Sequence, residues 1–339
     1  MGNGSKRALF SNILLILIAS VILIGCGTST DPDAGTGPGG DALPGGKPLR
    51  IMTTIFPEYD WVRELIKGTE ENWELSILLD NGVDMHSFQP SAEDIMELSS
   101  SDVLIYVGGE SDKWVKDALA DSLNKDISAI SLMDILGDGA RAEELKEGMT
   151  GDADGENDEH VWLSLRNAGV FCSAIAEELI RLDPDHMDIY RGNLEAYTDR
   201  LDKLDGEYKD AVSKAPLKVL MFCDRFPFRY FTEDYGLEYF AAFSGCSAET
   251  EASFETIAFL SDKAKELGIE TLLIIDGSDG KIAETVSQNT GIKDMKILTM
   301  DSIQSVKTSD IGDGISYLSI MESNLSVLKQ ALGLKPDTP

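Results

Sequence analysis

The 339-residue chain reads as an α/β protein, two Rossmann-like lobes with parallel-rich sheets joined by one long rigid helix. Three observations lead there. Short continuous apolar runs alternate with amphipathic stretches, the pattern of a parallel sheet covered on both faces. That alternation occurs twice. Between its two occurrences, apolar residues recur at spacings of three and four over nearly thirty positions, which marks a single long helix.

The N-terminus comes first in order. Lys6 and Arg7 precede an almost unbroken apolar run over residues 13–24, and Leu23-Ile24-Gly25-Cys26 follows at once. A basic region, a short apolar region and a small residue before the cut describe a secretory signal, here residues 1–25. The run is short for a membrane span, which needs about 20 residues. The tetrad resembles the lipobox of bacterial lipoproteins, which implies that Cys26 is acylated and becomes the mature N-terminus. Residues 26–48 then consist almost entirely of Gly, Ser, Thr, Asp, Ala and Pro. Such a composition buries too little apolar surface to fold and is expected to be a flexible tether.

The N-terminal lobe is expected over 49–184, with strands at 49–55, 75–79, 103–107 and 127–132. Helices are expected near 59–67, from Ser91 onward, where Ser-Ala-Glu-Asp resembles a capping box, and over 113–123. Residues 137–159 are polar, acidic and glycine-containing, and are expected to form a mobile surface loop. Helical periodicity resumes after Leu165. The linker helix, residues 185–214, carries Tyr190, Leu194, Tyr197, Leu201, Leu204 and Tyr208, with Pro184 before its start and Pro216 beyond its end. The C-terminal lobe, 215–339, repeats the alternation: strands at 217–222, 237–243, 271–275 and 296–300, helices at 254–267, 282–288 and 315–332. In open α/β sheets ligands bind beyond the carboxyl ends of the strands, which places a site in the cleft between lobes.

Sixty acidic residues against 29 basic give a formal net charge of −31. That charge excludes nucleic acid and anionic membrane surfaces as partners, since both require basic patches. It fits a soluble secreted body. Of the four cysteines, Cys26 is accounted for, so at most one bridge forms among Cys172, Cys223 and Cys246. Cys172 sits in an apolar helical pattern and is expected to be a core thiol. The chain has three histidines. His86 and His160 lie at junctions before helices, and His186 lies at the first turn of the linker helix. Neutral imidazole is the commonest metal ligand; nothing in its surroundings singles out His186.

Gly82-Val-Asp-Met-His-Ser-Phe-Gln-Pro-Ser-Ala-Glu-Asp94, with Asp102-Val-Leu-Ile-Tyr-Val-Gly108 and Trp114 behind it, resembles the first ligand motif of the zinc/manganese solute-binding proteins of ABC importers (cluster A-I). Met85 stands where Pro is usual. Asp158-Glu-His-Val-Trp-Leu163 resembles the second motif, with Glu159 for Pro. Phe222-Cys-Asp-Arg-Phe, running to Tyr235-Gly-Leu237, resembles the third, though about two residues longer than usual. Leu298-Thr-Met-Asp-Ser302 resembles the fourth. The resemblance spans residues 51–333.

It implies a lipid-anchored, extracytoplasmic protein that binds Zn²⁺ (alternatively Mn²⁺ or Fe²⁺) and passes it to an ABC importer permease, as a monomer. Carried over position by position, His86, His160 and Asp301 match family ligands, and Cys223 falls at the third position, with Asp224 as its alternative. A His₂-Cys-Asp set suits zinc, and a His₂-Asp₂ set would admit manganese or iron. Cys223 has two further readings, a buried thiol at the end of its strand or a disulfide to Cys246. Glu249 and Glu251 fall where the family tends to carry a cleft glutamate. No catalytic residue is expected, because a zinc hydrolase would show a helical His-Glu-X-X-His and a serine hydrolase a nucleophile elbow, and neither is present. Some relatives are proposed surface adhesins, a second role this sequence neither requires nor excludes.

Overall fold

Among the described residues, eight apolar runs form strands, all paired in parallel and divided into two sheets of four. The computed structural model describes residues 47–122, 124–150, 155–247 and 251–334. The signal segment, Cys26, nearly all of the tether and Glu249 therefore lie outside the described residues. In the first lobe β1 (Leu49–Thr53), β2 (Trp73–Ile77), β3 (Val103–Tyr106) and β4 (Ser128–Ser131) take the order β2-β1-β3-β4. In the second, β5 (Val219–Phe226), β6 (Glu238–Ser244), β7 (Thr271–Ile274) and β8 (Lys296–Thr299) take the order β6-β5-β7-β8. The lobes thus share one topology, with the first strand of each flanked by its second and third. That is a doubly-wound arrangement with its switch point beside the central strand.

Helices cover both sheets. The first lobe carries α1 (Phe56–Leu65), α2 (Ala92–Ser99), α3 (Lys113–Asp121), α4 (Leu132–Leu136) and α5 (Leu165–Leu182). Ser91 caps α2 as its sequence indicates: its hydroxyl accepts from the Asp94 amide while Asp94 reaches back to the Ser91 amide. The linker helix is α6 (Met187–Lys214), 28 residues and roughly 42 Å long at 1.5 Å per residue. The second lobe carries α7 (Arg229–Tyr235), α8 (Phe254–Leu267), α9 (Lys281–Thr290), α10 (Thr308–Gly312) and α11 (Tyr317–Ala331).

The long helix is tied at both ends. Asn193 donates to the carbonyls of Leu65 and Lys67 at the end of α1, and Tyr208 donates to Met321 O in α11 at 2.6 Å. α11 in turn packs back on the first lobe, where the buried Asp60 carboxylate accepts the Tyr317 amide at 2.7 Å. One apolar cluster runs through Trp61, Phe171, Tyr197, Tyr208, Phe231 and Tyr317, so the lobes share a core behind the cleft. Motion between lobes must be small, because a packed core does not deform continuously. Cys172 belongs to this core and is fully buried.

Residues 137–150 and 155–159 correct the expectation of a free surface loop. The Thr150 amide donates to Ala242 O, Ala142 and Asn157 form an antiparallel bridge, and the Tyr230 hydroxyl holds the Arg141 amide and the Asp158 carbonyl. An acidic segment binds here because its carboxylates meet basic and N–H groups of the second lobe: Arg229 pairs with Glu144, and the Cys246 amide donates to Glu143.

Candidate metal centre

The functional side chains follow the carboxyl ends of the parallel strands. His86 sits in the 3₁₀ turn Met85–Ser87 after β2, and the Asp84 carboxylate fixes that turn by accepting the His86 amide at 3.0 Å. Arg225, at the end of β5, binds Asp84 at 2.7 Å and so links the two lobes beside the turn. Burial would raise the Asp84 carboxyl, but the Arg225 guanidinium outweighs it and holds the group below the usual carboxylate range. His160 precedes the turn Val161–Leu163 and is completely buried, its ring tilted 56° against that of Trp162 with centroids 5.2 Å apart. Trp162 is itself fixed by a bond from Nε1 to Ser302 O and by the Tyr317 hydroxyl on its carbonyl.

The two imidazoles meet, with His86 Nε2 and His160 Nε2 3.1 Å apart. Their other nitrogens are already engaged. His160 Nδ1 lies 2.9 Å from Asp158 Oδ1, a carboxylate that can only accept. His86 Nδ1 lies 3.0 Å from Ser111 Oγ and 3.4 Å from Glu159 Oε2. Ser111 gives its hydroxyl proton to Glu159 at 2.5 Å and its amide to the same carboxylate at 2.8 Å, so its oxygen accepts from His86. Burial would raise Glu159, yet its hydrogen bonds with His86 and Ser111 prevail and keep it ionised. Both ring protons are thereby assigned to Nδ1 by the network, leaving two Nε2 lone pairs aimed at one point. Lone pairs at that distance repel unless a proton or a metal ion lies between them.

A zinc ion fits that point. With Zn–N bonds of about 2.0–2.1 Å and tetrahedral angles, two ligating nitrogens stand roughly 3.3 Å apart, close to the 3.1 Å observed. The pairing of each imidazole with a carboxylate or hydroxyl behind it is the outer shell that orients metal-binding histidines. A third donor completes the group: the Sγ of Cys246 and the two imidazoles offer ligand atoms that all lie within 4.8 Å of one another.

Of the other residues singled out in the sequence, Cys223 and Asp224 line the same cleft as His86. Cys223 is 1% exposed and packs with Met221, Ala242, Phe243, Leu260 and Leu272; burial, then the charge of Asp224, pushes its thiol up. It is not in the three-residue group. The reason lies in β5, where the pairing with β6 slips between Phe222 and Arg225: three residues of β5 advance against two of β6. This bulge takes up extra length in the motif and leaves Cys223 and Asp224 out of the ladder. Cys172, Cys223 and Cys246 are all free thiols, so the Cys223–Cys246 bridge is not formed. Asp224 lines the cleft, and its carboxylate accepts the Arg225 amide.

Asp301 follows β8. Its Oδ1 accepts the Ile303 amide at 2.7 Å, and Asn324 brackets its backbone. Ile303 sits at φ 63, a left-handed conformation that a β-branched residue adopts only under constraint. Burial and the neighbouring Asp276 carboxylate push the Asp301 carboxyl up to about 6. Asp276 was not singled out in the sequence. It follows β7, lines the cleft, and takes two bonds from Ser302 on Oδ1, while its buried Oδ2 has no hydrogen-bond partner among the described residues. Its position just past a strand end of the sheet was the available signal. The cleft itself measures about 580 Å³ and is lined by Asp84, His86, Cys223, Asp224, Arg225 and Asp276 among others. His186 is outside it, bonded to Asp183 and Asn72 where α5 turns into α6.

Comparison with known proteins agrees with this geometry. The chain matches the family described as ZnuA, zinc-uptake complex component A periplasmic, over residues 51–331. It is 25% identical over 329 residues to the high-affinity zinc uptake system protein ZnuA of Bacillus subtilis, covering 96% of this chain and 98% of that one. It is 29% identical over 329 residues to the manganese ABC transporter substrate-binding lipoprotein PsaA of Streptococcus pneumoniae, covering 94% and 97%. Among solved structures, the Zn(II)-bound ZnuA-like domain of Streptococcus pneumoniae AdcA superposes with a TM-score of 0.68 at 27% identity, over 84% of this chain and 99% of that one. The whole AdcA lipoprotein is longer, and the chain spans about 60% of its length. Two parallel-sheet lobes, a long joining helix and an extended family match together establish that this chain belongs to the ZnuA family of zinc-uptake components.

Proposed function

We propose that the protein captures a divalent transition metal, zinc first, in the cleft between its lobes and delivers it to the permease of an ABC importer. The observation that carries this reading is the pair of Nε2 atoms 3.1 Å apart, each ring held from behind by an acceptor. Such a site is built for a cation before the cation arrives. The imidazoles bind the ion, the carboxylates of Asp158 and Glu159 fix the rings, and Asp276 and Asp301 add negative charge from the second lobe. Nothing in this arrangement turns over a substrate: the function is capture and release, and ATP is hydrolysed elsewhere in the importer.

Cys26 is the lipidated residue in this reading. It anchors a monomeric, extracytoplasmic body to the cell membrane through the tether of residues 26–48. Manganese is the second reading, favoured by the carboxylates of Asp224 and Asp276 on the cleft wall and supported by the manganese-binding relative.

Chelator-competition titration with zinc tests the proposal. His86→Ala and His160→Ala are each expected to lower zinc affinity by more than about 100-fold, at or beyond the upper end of what outer-shell changes cost. Retention of full affinity by both variants would overturn it.

A further inference from the structure

We propose that Cys246 is the third metal donor of this cleft, so that the ion is held by two imidazoles and one thiolate and zinc is selected over manganese. The inference rests on the capture function proposed above and adds a residue and a selectivity to it.

Geometry singles out this thiol among the described cysteines. Cys172 is sealed in the shared core, and Cys223, though it lines the cleft, packs with the apolar cluster of the second lobe and is outside the group of mutually close donors. Cys246 alone of the three has its sulfur within 4.8 Å of both histidine donor atoms. With Zn–S near 2.3 Å and Zn–N near 2.0–2.1 Å, a tetrahedral ion needs sulfur and nitrogen roughly 3.6 Å apart, so a closure of no more than about 1.2 Å completes the triangle.

The turn carrying Cys246 is pressed onto the site by design of its sequence. Gly245 follows β6, and a Cβ built there would lie 2.9 Å from Phe226 O and 3.1 Å from Cε1 and Nδ1 of His160. Glycine lets the backbone approach the imidazole this closely, and the next residue, Cys246, then has its sulfur within 4.8 Å of the histidine donors. The Cys246 amide is then fixed by Glu143 Oε1 at 2.7 Å. A thiol placed there by packing alone would need no such anchor from the segment that also delivers Asp158 and Glu159.

When the ion binds, the S–Zn bond forms as the S–H bond breaks, and the proton leaves to solvent. Thiolate is a soft ligand that favours zinc and discriminates against manganese, which prefers oxygen donors. Replacing the sulfur by a hydroxyl should therefore cost zinc far more than manganese.

The experiment uses the purified full chain with Zn²⁺, Mn²⁺ and Co²⁺ as probes. Cobalt reports sulfur ligation through a sulfur-to-metal charge-transfer band in the near ultraviolet. The unaltered chain is expected to show that band, Cys223→Ser to keep it, and Cys246→Ser to lose it. Cys246→Ser should also lower zinc affinity by more than about 10-fold, the smaller loss known for outer-shell changes, with manganese affinity unchanged or higher. Absence of the band in the unaltered chain, or its loss in Cys223→Ser with retention in Cys246→Ser, overturns the proposal. The unaltered chain needs no substitution to fold, so that arm stands even if a variant is unstable. If the histidine variants lose zinc while Cys246→Ser does not, only the third donor is wrong; if none of them matters, the capture site itself is wrong.

Discussion

In the proposed site Glu159 would serve an ion it does not touch. Its carboxylate collects the Ser111 amide and hydroxyl and faces His86 Nδ1, so it decides which nitrogen of His86 looks into the cleft. Gly109 makes room for it: a Cβ there, at φ +86, would fall 2.3 Å from Glu159 Oε1. Asp158 does the same for His160. Glu159→Ala and Asp158→Ala are each expected to weaken zinc binding by about 10–100-fold without loss of the folded state. Competition titration together with far-ultraviolet circular dichroism checks this, and unaltered affinity would show that the rings are held by packing alone. At this scale rarity and position drew notice to the two histidines, and only the resemblance of their surrounding motifs to the family's ligand segments singled them out as candidate ligands. Cys246 was not singled out as one, because it follows Gly245, whose backbone lies against the His160 ring, a contact between segments far apart in the sequence.

Among the elements, the connection from β3 to α3 carries the clearest electrostatic cost. Asp112 folds back so that its carboxylate accepts the Gly108 amide at 2.9 Å, closing a turn with Gly108 and Gly109 both at positive φ. Burial, aided by the charge of Glu159, pushes Asp112 up to about 7 although the Gly108 amide pulls it down. An unfolded Asp titrates near 3.9, so the folded state holds this proton more tightly than the unfolded chain does. The stability that this group contributes is complete below about pH 4 and is lost as pH rises through about 7, at no more than about 1.4 kcal/mol per pH unit. Asp112→Asn keeps an acceptor for Gly108 and has no proton to lose. Urea denaturation from pH 4 to 8 should show the variant gaining on the unaltered protein as pH rises, and equal slopes would refute the assignment. All eight strands and the longer helices could be read from periodicity, but α4, α7 and α10, of five to seven residues, are too short to show a helical period. The acidic segment before His160 was misread for another reason: composition reports that it is polar, while only the fold supplies the amides and guanidinium that bind it.

For the molecule as a whole, metal capture and stability are linked. An ion that binds the folded cleft and not the unfolded chain stabilises by about 2.7 kcal/mol at 100 times its dissociation constant. Zinc at that excess is therefore expected to raise the thermal midpoint by several degrees, reversibly on adding chelator, with a smaller rise for manganese. Differential scanning calorimetry measures it, and a midpoint indifferent to zinc would break the link between the cleft and the ion. The lobes must already be near their binding arrangement, because α6 and α11 pin them to one core and Arg225 joins Asp84 across the opening. The sequence by itself determined the two parallel lobes and the long helix, since those follow from local periodicity, and it marked the two imidazoles as candidates through motifs that resemble a known family. Which thiol faces the ion, which carboxylates stand behind the rings and how the acidic segment is held were decided only by tertiary structure. Apart from Asp158, which stands two residues before His160, these depend on close approaches between segments roughly 50 to 100 residues apart, distances over which no local pattern in a chain carries information.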